Sequence, residues 1–171
     1  MRSLLDRLNN PLHLLIALAC TWLLASSPWI GLYHALPAEA GWVNVSHVVL
    51  GLAMVPLGIA YFAACTLGGR WRLYFPWIAG QVGAVGTDVA GLFRGERPGS
   101  EGGGLFASIE GFLLIALLAA AFTGAAWFVN QGSDAAVAWR GHHIVAARGV
   151  GALMLMHVLA VALHLVDLVR D

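Results

Sequence analysis

Apolar residues in this chain fall into four long, nearly unbroken runs, at about 12–31, 45–67, 105–130 and 138–166. Each run reaches the ~20 residues that a helix needs to cross a hydrocarbon core of about 30 Å. The pattern predicts an all-α membrane protein: one domain, residues 1–171, built as a four-transmembrane-helix up-and-down bundle. Pro11 suits the first turn of helix one, and Trp29 and Tyr33 suit its membrane interface. Pro56 falls mid-run in helix two and predicts a kink there. The stretch "LPAEAGW" after the first run resembles a small-residue cleavage site. The run before it is longer than a signal-peptide core, so it reads as helix one.

Residues 68–104 form a longer connection than two neighbouring helices need. Within it, "PWIAGQVGAVGTDVAGLF" places Trp77, Val82, Val85, Val89, Leu92 and Phe93 broadly on one helical face, with Gln81 and Asp88 elsewhere. That predicts an amphipathic helix lying in the membrane surface, although its four glycines oppose helix formation. "RGERPGSEGGG" reads as turn and linker.

Composition agrees with membrane spans: 60% of the 171 residues are hydrophobic and 11% charged, against about 25% charged in soluble domains. A net charge of zero argues against a nucleic-acid partner. The distribution of charge sets an orientation. Arg2 and Arg7 precede the first run, Arg70, Arg72, Arg94 and Arg97 lie between the second and third, and Arg170 closes the chain. The positive-inside rule puts both termini and the 68–104 connection in the cytoplasm. Cys20 and Cys65 fall inside spans and read as small packing residues rather than a disulfide or metal pair.

Histidine is the unusual residue here. Among the seven histidines, His143 and His157 lie fourteen apart, which on a helix is about 40° of rotation and ~21 Å of rise. His13 sits at the inner end of helix one and His47 at the outer end of helix two. Depth therefore pairs His47 with His143 and His13 with His157. A lone buried histidine usually satisfies a core hydrogen bond, but two pairs at two depths can clamp two flat metallated rings inside a bundle. A bare zinc ion wants four ligands, whereas haem iron needs only two axial ones. With both axial positions filled, electron transfer is its natural role. Gly51, Gly149 and Gly151 would give such rings room, or serve ordinary helix packing. His164 shares the stripe and is an alternative to His157, while His142 points about 100° away and His34 reads as a loop residue.

The segments "RLNNPLHLL" with Arg7 and His13, "SHVVLG" with His47, and "HIVAARGVGALMLMH" with His143 and His157 resemble the bacterial di-haem cytochromes b561. They are similar also to the cytochrome b subunits of formate dehydrogenase and nickel–iron hydrogenase, and the resemblance covers the whole chain. It implies two b-type haems, each held by two histidines, in a bacterial inner membrane. It also implies electron exchange between quinone and a redox partner such as a dehydrogenase or hydrogenase. Arg7 and Arg148 become candidates for haem propionate contacts, with Glu39 or Asp134 as protein alternatives for Arg148. The chain departs from the family at the start of helix three. "LFASIEGF" offers Phe106 and Ile109 where the dehydrogenase type has asparagine and glutamine, leaving Ser108 and Glu110 as candidate quinone-site groups. Leu14 replaces the usual tryptophan after His13. Two other functions stay open at this point. One is a free-standing oxidoreductase passing electrons from superoxide or another small molecule to quinone, which would want a basic funnel near Arg140 and His142. The other is a histidine-dependent transporter or channel.

Overall fold

A computed structural model describes residues 10–67, 69–95 and 104–170, the last eight as backbone alone. All regular structure among them is helical. Helix α1 (Pro11–Ser26) runs into a 3-10 turn at Ser27–Trp29, followed by α2 (Trp42–Thr66), a short α3 (Trp71–Tyr74), α4 (Val82–Phe93), α5 (Leu105–Val129) and α6 (Asp134–Arg170). Four stretches are long and apolar enough to cross a membrane: Pro11–Trp29, Trp42–Thr66, Leu105–Val129 and Asp134–Ala162.

The helix ends follow from local chemistry. The Asn10 side chain accepts from the Leu12 N–H at 3.0 Å, and Pro11 takes the first helical position where no donor is needed. Helices α2 and α6 open a few residues before their apolar runs, at Trp42 and Asp134. Apolarity marks the part that lipid covers, whereas backbone hydrogen bonding continues to the cap, and Asp134 in the first turn of α6 complements the helix dipole. Pro56 lies inside α2 without ending it.

The described chain groups into two compact units, Met1–Phe62 with Ala116–Arg148, and Ala63–Ile115 with Gly149–Asp171. In the first, Leu32, Val48, Trp127 and Ala136 form a buried cluster, with Ile30, Leu36, Leu52 and Phe128 packed against it. Long-range hydrogen bonds fasten the connection between α1 and α2 to this cluster. The Trp127 indole donates to the Tyr33 carbonyl at 3.0 Å, the Leu36 N–H donates to Gln131 at 2.7 Å, and Arg140 Nε donates to the Leu32 carbonyl at 2.7 Å. The Arg140 guanidinium also lies over the Tyr33 ring.

In the second unit the 68–104 connection corrects one expectation. The surface helix does not include Trp77, because α4 begins only at Val82. Pro76 supplies no backbone donor, and Gly80 turns the chain at a φ of 70° that other residues avoid. Phe75 and Pro76 are buried instead, and Trp77 stacks on Phe112 of α5 with ring centres 4.2 Å apart. Within α4, Val82, Val89, Leu92 and Phe93 keep an exposed apolar surface, as a helix lying against lipid requires. Asp88 of the same helix works elsewhere, since its carboxylate accepts from the Leu105 N–H at 2.8 Å and so caps α5. Replacing Asp88 with alanine should cost about 1 kcal/mol, read as a lower denaturation midpoint in detergent. An unchanged midpoint would show that the cap contributes nothing. Arg70 donates to the carbonyls of Ala64 and Leu67, capping the end of α2.

The long helices expose much of their apolar surface. Leu14, Leu15 and Leu18 on α1, Val49 and Ile59 on α2, Phe112, Ile115 and Phe122 on α5, and Val145, Leu155 and Leu159 on α6 are all exposed. In water such a surface would drive aggregation; in a bilayer it is the face that lipid solvates. Cys20 and Cys65 are buried and are not joined in a disulfide.

Candidate functional site

Within the first unit, α2 and α6 bring His47 and His143 together. Their ring centres are 6.4 Å apart and the ring planes cross at 88°. Neither ring touches its neighbour through a hydrogen bond; each is held from the other side. His143 Nδ1 lies 2.9 Å from the Ala120 carbonyl of α5. A carbonyl can only accept, so Nδ1 carries the proton. His47 Nδ1 lies 2.9 Å from Ser26 Oγ at the end of α1. The Ser26 hydroxyl also lies 3.2 Å from the Leu23 carbonyl; with its single proton donated there, the oxygen accepts from His47 Nδ1–H, and the other tautomer of His47 reverses that bond.

His143 is thereby set in one tautomer, with Nδ1 protonated and the Nε2 lone pair free, and the Ser26 hydroxyl allows the same tautomer at His47. Ligating histidines show this arrangement: the nitrogen away from the metal donates to a carbonyl or similar acceptor, fixing ring orientation and raising the basicity of the other nitrogen. Two metal–imidazole bonds of ~2.0–2.1 Å place the ring centres roughly 6.3 Å apart, close to the spacing seen. Among the described residues no group of three or more His, Cys, Asp or Glu could hold a metal ion. Two imidazoles alone suit a metal whose other positions are already filled, as they are in haem. The donor set therefore fits haem and does not fit a bare ion.

Room for the His143 ring comes from Gly124, one turn after Ala120. A Cβ at Gly124 would lie 3.1 Å from Cε1 and 3.2 Å from Nδ1 of His143. Sequence reasoning missed Ser26, Ala120 and Gly124. A serine in the last turn of an apolar helix and a glycine inside an apolar span were the available signals, but each has many ordinary explanations. At Gly51 and Gly149, a Cβ would meet no protein atom within 4 Å.

The remaining candidates lie as follows. His13 stacks at a tilt on Tyr61, ring centres 5.9 Å apart, in the first unit. His157 belongs to the second unit, where its Nδ1 stands 3.9 Å from Glu110 Oε1 of α5. Ser108 is buried and its hydroxyl donates to the Gly104 carbonyl at 3.0 Å. Arg148 is exposed and has no hydrogen bond or ion pair with another described residue. Five residues after His143, it points about 140° away from that ring, a poor direction for a propionate of a haem bound there. Arg7 lies outside the described residues, and His164 is described by its backbone alone. His142 is exposed against Trp139, and His34 is exposed beside Tyr33.

Comparison with known proteins agrees with the chemistry of the paired imidazoles. Residues 6–168 match the family model described as prokaryotic cytochrome b561. No curated protein and no solved structure matches the chain. A match over nearly the whole sequence, on a chain of four membrane-spanning helices, places it: the protein belongs to the prokaryotic cytochrome b561 family and is a multi-pass membrane protein of b-type haem electron transfer.

Proposed function

We propose that this chain carries electrons across the bacterial inner membrane by means of two b-type haems, between quinone and a redox partner such as a dehydrogenase or hydrogenase. His47 and His143 are the ligands of one haem, and His13 and His157 those of the other. When bound, each haem would supply a one-electron carrier held by its two histidines. The observation that supports this reading best is the His47–His143 pair, with Nδ1 of each ring engaged, by Ser26 or Ala120, and Nε2 of each left for iron.

The rest of the chain serves electron transfer by position. The fourteen-residue interval between His143 and His157 sets ~21 Å of rise along α6, which spaces the two ligand levels through the hydrocarbon. The exposed leucine, valine and phenylalanine side chains hold the helices in lipid. Arginines at both termini and in the 68–104 connection favour a cytoplasmic placement for all three. At the start of α5, Ser108 has its proton committed to Gly104, so Glu110 is the group there able to hold or move a proton for a bound quinone.

The test is a reduced-minus-oxidised spectrum of the purified protein with haem quantitation. Two b-type haems per chain are expected. A single haem would reject the His13–His157 pair, and a colourless protein would overturn the proposal in favour of histidine-dependent transport. Co-purification with a dehydrogenase or hydrogenase separates a partner-bound role from a free-standing oxidoreductase.

A further inference from the structure

The two candidate ligand levels differ in what holds their histidines. His47 and His143 have neutral oxygens at Nδ1, the Ser26 hydroxyl and the Ala120 carbonyl. His157 instead has a carboxylate at its Nδ1: Glu110 Oε1 is 3.9 Å away, with both side chains about a quarter exposed. That separation is about 1 Å longer than an N–H···O hydrogen bond, so the two groups stand close without being bonded. Glu110 rises from the first turns of α5, which Asp88 caps at Leu105. The helix that carries the carboxylate is therefore anchored at its start.

We propose that Glu110 is a positioning residue for the His157 ligand: a rotation of its side chain brings the carboxylate into position to accept from Nδ1–H, which aims Nε2 at the iron and lowers the reduction potential of that haem. The proposal rests on the reading of His157 as a haem ligand. A carboxylate at Nδ1 draws the ring proton toward itself and places negative charge beside the ligand. Both effects make the imidazole a stronger donor, and a stronger donor favours ferric over ferrous iron. Ser26 and Ala120 carry no formal charge, so the same bias is absent at the His47–His143 level. The two haems are made unequal by the chain itself, through one side chain.

The experiment is a spectroelectrochemical titration of the full-length, haem-loaded protein and its Glu110→Gln, Glu110→Asp and His157→Ala variants. Glutamine keeps the shape and removes the charge. Glu110→Gln should retain two haems and raise one midpoint potential, shifting the ferrous-to-ferric ratio of that haem about tenfold at fixed ambient potential (~59 mV for one electron). The other midpoint should stay in place, and Glu110→Asp should return most of the shift. Two unchanged midpoints in a two-haem Glu110→Gln protein would overturn the proposal. If Glu110→Gln sheds a haem, Glu110→Asp decides: two haems with the parent midpoints support it, and loss again counts against it. His157→Ala tests the underlying ligand separately, since retention of both haems there would refute His157 as a ligand, whatever Glu110 does.

Discussion

Replacing either His47 or His143 with alanine should reduce the haem content from two per chain to about one, and the same haem should disappear in both variants. The expectation follows from the hydrogen bonds. Nδ1 of each ring is engaged, by Ser26 or Ala120, and Nε2 is not, and the two rings stand 6.4 Å apart. If the two imidazoles hold one haem, as proposed, removing either would leave that haem with one of its two protein ligands. The measurement is haem quantitation with a reduced spectrum, compared between the two variants. Identical residual spectra mean that the two histidines share one haem. Different residual spectra, or loss of both haems from either change, would mean that the pairing is wrong. The substitution also leaves a partner at the opposite side without its hydrogen bond, Ser26 in one case and the Ala120 carbonyl in the other. Each such loss costs about 1 kcal/mol, too little to unfold a four-helix protein and mimic the result.

Gly124→Val should remove the same haem without touching a ligand. The Cβ alone would stand 3.1 Å from His143 Cε1, so alanine already requires the ring to yield by a few tenths of an ångström. Valine adds two methyl groups in a space the ring occupies. Overpacking of this kind costs typically 1–3 kcal/mol, and the least costly relief is to swing His143 away from the Ala120 carbonyl. That movement breaks the bond which sets the tautomer and re-aims Nε2. Haem content should therefore fall toward one per chain in Gly124→Val, with Gly124→Ala binding both haems but losing one of them sooner on dilution in detergent. A Gly124→Val protein with two haems and an unaltered spectrum would show that the glycine is ordinary helix packing.

These two expectations read the same site from opposite sides, and they differ in how far the sequence anticipates them. His47 and His143 stand out because ionisable side chains in apolar runs are rare and their depth follows from counting along helices. Gly124 has no such visibility. One glycine among 21 acquires its meaning only when α6 sets an imidazole against it. Asp88 is similar: the hydrophobic pattern places it off the apolar face of α4, yet it does not reveal that the carboxylate reaches Leu105, seventeen residues on. Arg140 shows the reverse case. As a letter it is only a positive charge, and in the fold it also fastens the connection between α1 and α2.

By itself, the sequence determines that this protein is helical, spans a membrane four times and belongs among haem-binding electron carriers. Those properties are sums over many residues: burying some 20 apolar side chains in lipid outweighs any single misplaced group, and the spacing of histidines along a helix is set by backbone geometry common to all helices. Tertiary structure alone decides which atoms prepare the site: Ser26 for His47, Ala120 and Gly124 for His143, and Glu110 beside His157. A hydrogen bond exists or fails within a few tenths of an ångström and a few tens of degrees. Its existence depends on the rotation of each helix about its axis, a quantity that no pattern of apolar and polar letters in one helix contains.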